Sequence, residues 1–215
     1  MKKLALIGAG DLGLQLAHQA RVGGGHTVAG FFDDLCKTGD MVGGARVLGR
    51  IDQIETMHHN GNFDCLLVAI GYKHLDFRQS VFERFFGKIP FATLIHPSAI
   101  IDPTCTIEPG TVIYSGCILD MEVQIGCNVL LNTGCVIAHH SRIGAGCFLS
   151  PAVKLAGFVA VESQSTLGIG TVVIDNVTIA SGVRTGAGAV VIDNLSTPGL
   201  YVGIPASLKE ESRAP

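Results

Sequence analysis

From Ile95 onward the chain places a hydrophobic residue at every sixth position: Ile95, Ile101, Ile107, Ile113, Leu119, Ile125, Leu131, Ile137, Ile143, Leu149, Leu155, Val161, Leu167, Val173, Ile179, Thr185 and Val191. Thr185 alone departs from the aliphatic rule. Four residues after each of these, up to Thr185, the side chain is Ala, Cys, Ser, Thr or Val, as at Ala99, Cys105, Thr111, Ser141 and Ser165. A period of six matches neither the 3.6 of an amphipathic helix nor the 2 of a half-buried strand. It suits a solenoid in which each wall of a triangular coil takes one hexad and each coil takes three. Aliphatics fill the axis, and small residues fill the tight corners.

The residues ahead of the hexads follow a different rhythm. Residues 2–7 read as a buried strand, 8–13 as a turn, and 14–21 as a helix stopped by Gly23, Gly24 and Gly25. Residues 27–32 and 65–70 read as further strands, with a loop-rich stretch at 33–62 that holds one helix near 51–58. A helix over 74–86 and a short strand over 91–94 complete the alternation, which predicts a small parallel α/β sheet of Rossmann type. Pro97 disfavours helix before it, and the hexads take over there. The expected domains are therefore 1–94 and 95–215. Beyond Val191 the register fades into a closing loop at 201–206, and the charged tail at 209–215 is expected to be a short helix.

Composition narrows the function. A chain of 215 residues, 47% hydrophobic and 15% charged, has ample material for two cores. A net charge of −3 gives no bulk reason to bind nucleic acid or an anionic membrane, and neither partner is expected. No stretch reaches transmembrane length. The start superficially resembles a secretion signal, but its apolar run breaks at glycines. Seven cysteines without a CxxC pattern point to thiols in a reducing cytoplasm. Cys105, Cys117, Cys135 and Cys147 occupy the small repeat position, where packing explains them. Cys117 and Cys135 should stack on successive coils with parallel side chains, a poor approach for a disulfide.

Two constellations carry chemistry. Gly8-Ala9-Gly10-Asp11-Leu12-Gly13 follows a strand and opens a helix, with Asp33 twenty residues beyond Gly13. Bare backbone amides at a helix N-terminus can approach a phosphate closely. The region has room for one mononucleotide-binding half, so a single nucleotide is expected rather than NAD. The second constellation is His139-His140, the histidines inside the repeats.

The hexads resemble those of the hexapeptide-repeat acyltransferases, whose coil is a left-handed parallel β-helix. That handedness is what the resemblance implies, not the spacing. A glycine-turn domain before such a coil is similar to the bacterial sugar-nucleotide acyltransferases, which include UDP-4-amino-sugar N-acetyltransferases and sialic-acid O-acetyltransferase-like proteins. The resemblance implies acetyl transfer from acetyl-CoA to the amine of a nucleotide-linked, UDP-type, 4-amino-deoxy sugar, without a metal, by a cytoplasmic homotrimer. It implies sugar-nucleotide contacts at Gly8, Gly10, Asp11, Leu12, Gly13, Asp33 and Asp34. The family turn often reads Gly-His where this chain has Asp11-Leu12.

By the same match His139 is the base, and Asn132 lines the same groove. An amine attacking a thioester must lose a proton, and imidazole titrates near neutrality. Family members place Glu or Asp after that histidine, whereas this chain has His140. The 18-residue stagger puts Met121 under His139 and Glu122 under His140, so Glu122, or Asp120 beside it, is expected to supply the missing charge. Gly157 above His139 is expected to leave room for the pantetheine arm of coenzyme A. Gly186, Ala187, Ile204 and Pro205 are implied to continue its track, with Arg184, Lys209 and Arg213 near the phosphates. Other readings are sugar O-acetylation and a non-catalytic scaffold. A zinc site needs a third matching histidine, and the repeats offer none.

Overall fold

A computed structural model describes residues 1–211. The chain forms two compact units, one ending at Pro97 and the other starting at Ser98.

The first unit comprises β1 (Lys2–Ile7), α1 (Asp11–Val22), β2 (His26–Phe32), β3 (Met41–Val42), β4 (Ala45–Gly49), α2 (Ile54–His59), β5 (Cys65–Val68) and α3 (Leu75–Phe85). Its sheet runs β3-β4-β2-β1-β5, with β3 alone antiparallel. Leu4 through Ile7 are wholly buried, as expected for a central strand of a parallel sheet. Helix α1 packs on β1 and β2 and α3 on β5, burying Leu16, Ala17 and Ala20 from the first and Val81, Phe82 and Phe85 from the second. Because β1 is flanked by β2 and β5, the topological switch point lies at its C-terminal end, where such sheets bind ligands.

Several expected elements move. Helix α1 begins at Asp11 rather than at residue 14, since a first turn needs no apolar residue. Strand β5 stops at Val68, and residue 91 makes a single parallel bridge to Leu66 instead of opening a strand. The stretch expected to be mostly loop holds the β3–β4 hairpin. Its turn is Gly43-Gly44, with φ of 53° and 79°, the positive-φ pair that two-residue hairpins demand. A strand of two residues is too brief to show an alternation.

In the second unit, sixteen two-residue strands from Ile100–Ile101 to Val190–Val191 wind into a left-handed parallel β-helix. Strands on each wall pair at an offset of one coil, as in Leu119 with Ile137, Ile125 with Ile143 and Leu131 with Leu149. From Ile101 onward the hexad aliphatics point inward and form one core, whereas Ile95, ahead of the coils, is exposed. The corner residues do more than fit. Thr111, Cys117, Ser141, Cys147 and Ser165 each donate to the carbonyl fifteen residues on, at 2.8 to 3.1 Å. Each such bond contributes about 1 kcal/mol, which explains hydroxyls and thiols where alanine would also fit. Among the described residues none of the seven cysteines forms a disulfide.

The exception at Thr185 has the same logic. Its buried Oγ1 accepts from the Gly168 amide at 2.9 Å and lies 2.7 Å from Thr171 Oγ1. Thr171 donates onward to the Gly168 carbonyl at 2.8 Å, so Thr185 donates to Thr171 and no polar atom is stranded. Past the coils, Leu195 bridges to Ile179. The end of the described chain is a hairpin of Gly199–Val202 and Ser207–Glu211. Lys209 is thus in a strand that extends a wall, not in a helix, and Arg213 lies outside the described residues.

Candidate active site

One edge of the prism, between the wall of Val136–Ile137 and the wall of Arg142–Ile143, gathers side chains from three successive coils. Here His140 Nε2 lies 3.0 Å from Glu122 Oε2, and His140 Nδ1 lies 3.1 Å from His139 Nδ1. Phe158 covers both rings, stacked on His140 with centroids 4.8 Å apart and edge-on to His139 at 5.2 Å. The 18-residue stagger therefore brings Glu122, His140 and Phe158 into one column, as the backbone bond from His140 N to Met121 O also shows. Asp120, the alternative carboxylate, instead accepts from the Met121 amide in its own turn.

Stability does not account for this column. Glu122, His140 and Phe158 have φ of 58°, 60° and 60°, a left-handed conformation that costs a non-glycine residue about 1 kcal/mol or more. The Glu122 and His140 side chains are 55% and 34% exposed, and a polar contact this open to solvent returns about 0–1 kcal/mol. The same left-handed conformation recurs at Asn128, Ala152, Gln164 and Asn176, so it belongs to the regular corner of the coil, and what sets this column apart is that its side chains meet one another. Phe158 was absent from the sequence-based set of site residues. Its signal was present: a large aromatic at a left-handed corner, eighteen residues after His140.

Gly157 lies directly against the His139 ring. A Cβ there would lie 2.6 Å from His139 Cε1 and 2.8 Å from Nε2. The missing side chain accommodates the imidazole.

The remaining expected residues occupy another edge. Asn132 sits at the preceding corner of its coil, with the whole Val136–Ile137 wall between it and His139. Its Oδ1 accepts from the Thr133 amide and lies 3.2 Å from the Thr133 hydroxyl. Gly168 and Gly186 follow Asn132 up the same edge. A Cβ on Gly186 would meet Val202 Cγ1 at 2.8 Å, so Gly186 admits the closing strand. Ala187 is exposed beside it, and the exposed Ile204-Pro205 pair is held by bonds from Val190 N to Gly203 O and from Ala206 N to Val190 O. Within one chain, Asn132 and the expected coenzyme track do not meet His139. Arg184 is exposed, on the outer side of a wall strand.

In the first unit, the glycine turn leaves β1 at the switch point. A Cβ on Gly8 would meet the Ala69 carbonyl oxygen at 2.8 Å, and one on Gly13 would collide with the Gly8 carbonyl oxygen, so both glycines let strand and helix pack closely. Gly10 faces open space and caps α1, and Asp11 and Leu12 fall in the first helical turn. Asp33 braces this turn instead of projecting free. Its carboxylate accepts from the amides of Ala9 at 2.8 Å, Leu35 at 2.8 Å and Cys36 at 3.1 Å. Asp34 accepts from Ile51 N at 3.0 Å and lies 3.8 Å from Arg50 Nε.

Burial alone would raise the Asp33 carboxyl, but the three amides outweigh it and hold it below its ordinary value. Its stabilising contribution is therefore complete above the unfolded carboxylate range near 3.9 and is lost as pH falls through the lower folded value. Asp33→Asn is expected to lower stability at neutral pH by about 1–2 kcal/mol. Denaturant titrations of both proteins should converge on acidification.

Comparison with known proteins follows the same division. Residues 3–85 match the family described as the PglD N-terminal domain. No curated protein sequence matches the chain. Among solved structures, a perosamine N-acetyltransferase variant from Caulobacter crescentus, in complex with CoA and GDP-perosamine, is 31% identical over 98% of both chains, with a TM-score of 0.91. The acetyltransferase domain of PglB from Neisseria gonorrhoeae, in complex with acetyl coenzyme A, is 27% identical with a TM-score of 0.87, covering 97% of this chain and 99% of that one. WeeI from Acinetobacter baumannii, 20% identical over 97% of this chain and the whole of that one, shares the fold with a TM-score of 0.81. Among the described residues no group of side chains is arranged to hold a metal ion, and no helix is long and apolar enough to cross a membrane. With both units matched end to end at this identity, the chain belongs to the hexapeptide-repeat sugar-nucleotide N-acetyltransferase family.

Proposed function

We propose that this protein transfers the acetyl group of acetyl-CoA to the amine of a nucleotide-linked 4-amino-deoxy sugar, with His139 as the base. The observation that carries this reading is the His139 corner: an imidazole seated on a glycine and held at Nδ1, leaving Nε2 for a substrate. The sugar nitrogen attacks the thioester carbonyl, and His139 Nε2 takes the proton. The tetrahedral intermediate then collapses, the C–S bond breaks, and the coenzyme A thiolate recovers that proton. No covalent enzyme intermediate is needed, because both substrates can be held side by side.

The glycine turn at Gly8–Gly13 holds the nucleotide phosphates, with Asp33 fixing the shape of the turn. A homotrimer gives the two edges of the coil a common purpose. The His139 edge of one copy would face the Asn132, Gly186 and Ala187 edge of another, with coenzyme A between them. Ile100, Ile118, Val172, Ile174 and Ile192 are exposed on or beside one wall, which supports such association. Cysteines held as thiols fit a cytoplasmic setting.

The resemblance in the sequence points to UDP, whereas the perosamine transferase was solved with GDP-perosamine. Thermal shift separates them: the correct nucleotide at a hundredfold over its Kd adds about 2.7 kcal/mol, which raises the midpoint by several degrees, and the wrong one leaves it unmoved. Acetyl-CoA with GDP- or UDP-linked 4-amino sugars should then release free thiol, and free sialic acid should not. Absence of both the thermal response and thiol release refutes this reading.

A further inference from the structure

The hydrogen-bond chain at the active edge has a direction. A carboxylate only accepts, so the 3.0 Å contact with Glu122 Oε2 requires the proton of His140 to sit on Nε2. In neutral imidazole the other nitrogen is then an acceptor. That nitrogen, His140 Nδ1, faces His139 Nδ1 at 3.1 Å, so His139 must donate from Nδ1. Its Nε2 is left with a lone pair. Phe158 stacks on the His140 ring and abuts His139 edge-on, so neither ring can rotate away without losing that packing.

We propose that Glu122 and His140 act as a one-way positioning relay that fixes His139 in the Nδ1–H tautomer and thereby makes its Nε2 the proton acceptor. This deepens the reading of His139 as the base and rests on it. The charge is supplied to His140 from the coil below. A second consequence follows from charge. If His140 takes a proton, both its nitrogens become donors, His139 Nδ1 must accept, and its own proton moves to Nε2. One proton on the pair is then enough to remove the acceptor, whichever ring receives it.

The test has two arms. The first needs no substrate: long-range proton–nitrogen NMR of ¹⁵N-histidine-labelled protein in mildly alkaline buffer, with the two residues assigned by His139→Gln and His140→Gln. The expected result is His139 protonated at Nδ1 and His140 at Nε2, with the Nδ1–H fraction of His139 reduced in Glu122→Gln. The reverse pattern, or a His139 tautomer indifferent to Glu122→Gln, overturns the relay.

The second arm is turnover with acetyl-CoA and a 4-amino sugar linked to the nucleotide, GDP or UDP, that thermal shift selects. Glu122→Gln and His140→Asn should each lower kcat by about 10- to 100-fold, as partners that orient a reacting histidine do, with KM for acetyl-CoA little changed. The double variant should be no slower than His140→Asn alone, because two members of one relay do not lose independently. Losses that multiply overturn it. Correct tautomers in a protein with no turnover on any amino-sugar nucleotide would refute the acetyl-transfer reading while leaving the relay in place.

Discussion

Replacing His139 with alanine is expected to lower kcat by about 100- to 10,000-fold, the usual contribution of a positioned acid or base. KM for acetyl-CoA should change little, since the imidazole serves the nitrogen that attacks rather than the thioester that is attacked. The fold should survive: the His139 side chain is only half buried, its contacts are with His140 and Phe158 at the rim, and the core aliphatics Ile137 and Ile143 lie on the walls to either side. A melting midpoint within about 2 °C of the parent, with thiol release abolished, is the expected pair of results. If activity persists near the parent level, the base lies elsewhere and the assignment of this edge fails.

Gly157→Ala is expected to reduce kcat by about 100-fold through a single methyl group. Nothing in the backbone forbids alanine, since Gly157 is not among the residues with positive φ. What forbids it is the ring above, because the new Cβ would press on Cε1 and Nε2 of His139 at 2.6 and 2.8 Å. The ring must move, carrying Nε2 with it and breaking the Nδ1 contact to His140. A displacement of about 1 Å in a reacting group costs roughly that factor. Binding of acetyl-CoA alone, read by calorimetry, separates the two roles assigned to this glycine. If it gives way to the pantetheine arm, affinity for the coenzyme falls. If it gives way to the imidazole, affinity holds while kcat collapses.

The β-helix was legible because its period is long and strict: a hexad beginning at Ile95 determines which residues point inward before any coordinate is known. The same stagger placed Glu122 beneath His140 and Phe158 above it, so most of the active edge could be read from eighteen-residue offsets. Which carboxylate would serve could not be read, since Asp120 and Glu122 are equally near in the sequence. The choice is made by the turn, where Asp120 bonds the Met121 amide and the left-handed corner directs Glu122 at the ring.

The contact of Gly157 with His139 was hidden for a related reason. A glycine in a sequence announces space and does not say what fills it. Asn132 is placed with His139 by the resemblance alone, and within one chain the seven residues between them span a wall. In the first unit, strand and helix alternation was plain, while the Met41–Val42 hairpin arm was too short to register.

The left-handed corners also set a limit on hardening this molecule. At other corners the corresponding places are filled by glycine, as at Gly134 and Gly146, by Asn128 and Asn176, and by Ala152 and Gln164, so the winding itself demands that conformation. Writing glycine or asparagine into positions 122, 140 and 158, as a consensus design for a stiffer rod would, relieves the strain at three successive coils and leaves an inert spindle. Corners that a design would fill with glycine are here the places that carry the ring contacts, so a sturdier version of this chain would be a duller enzyme.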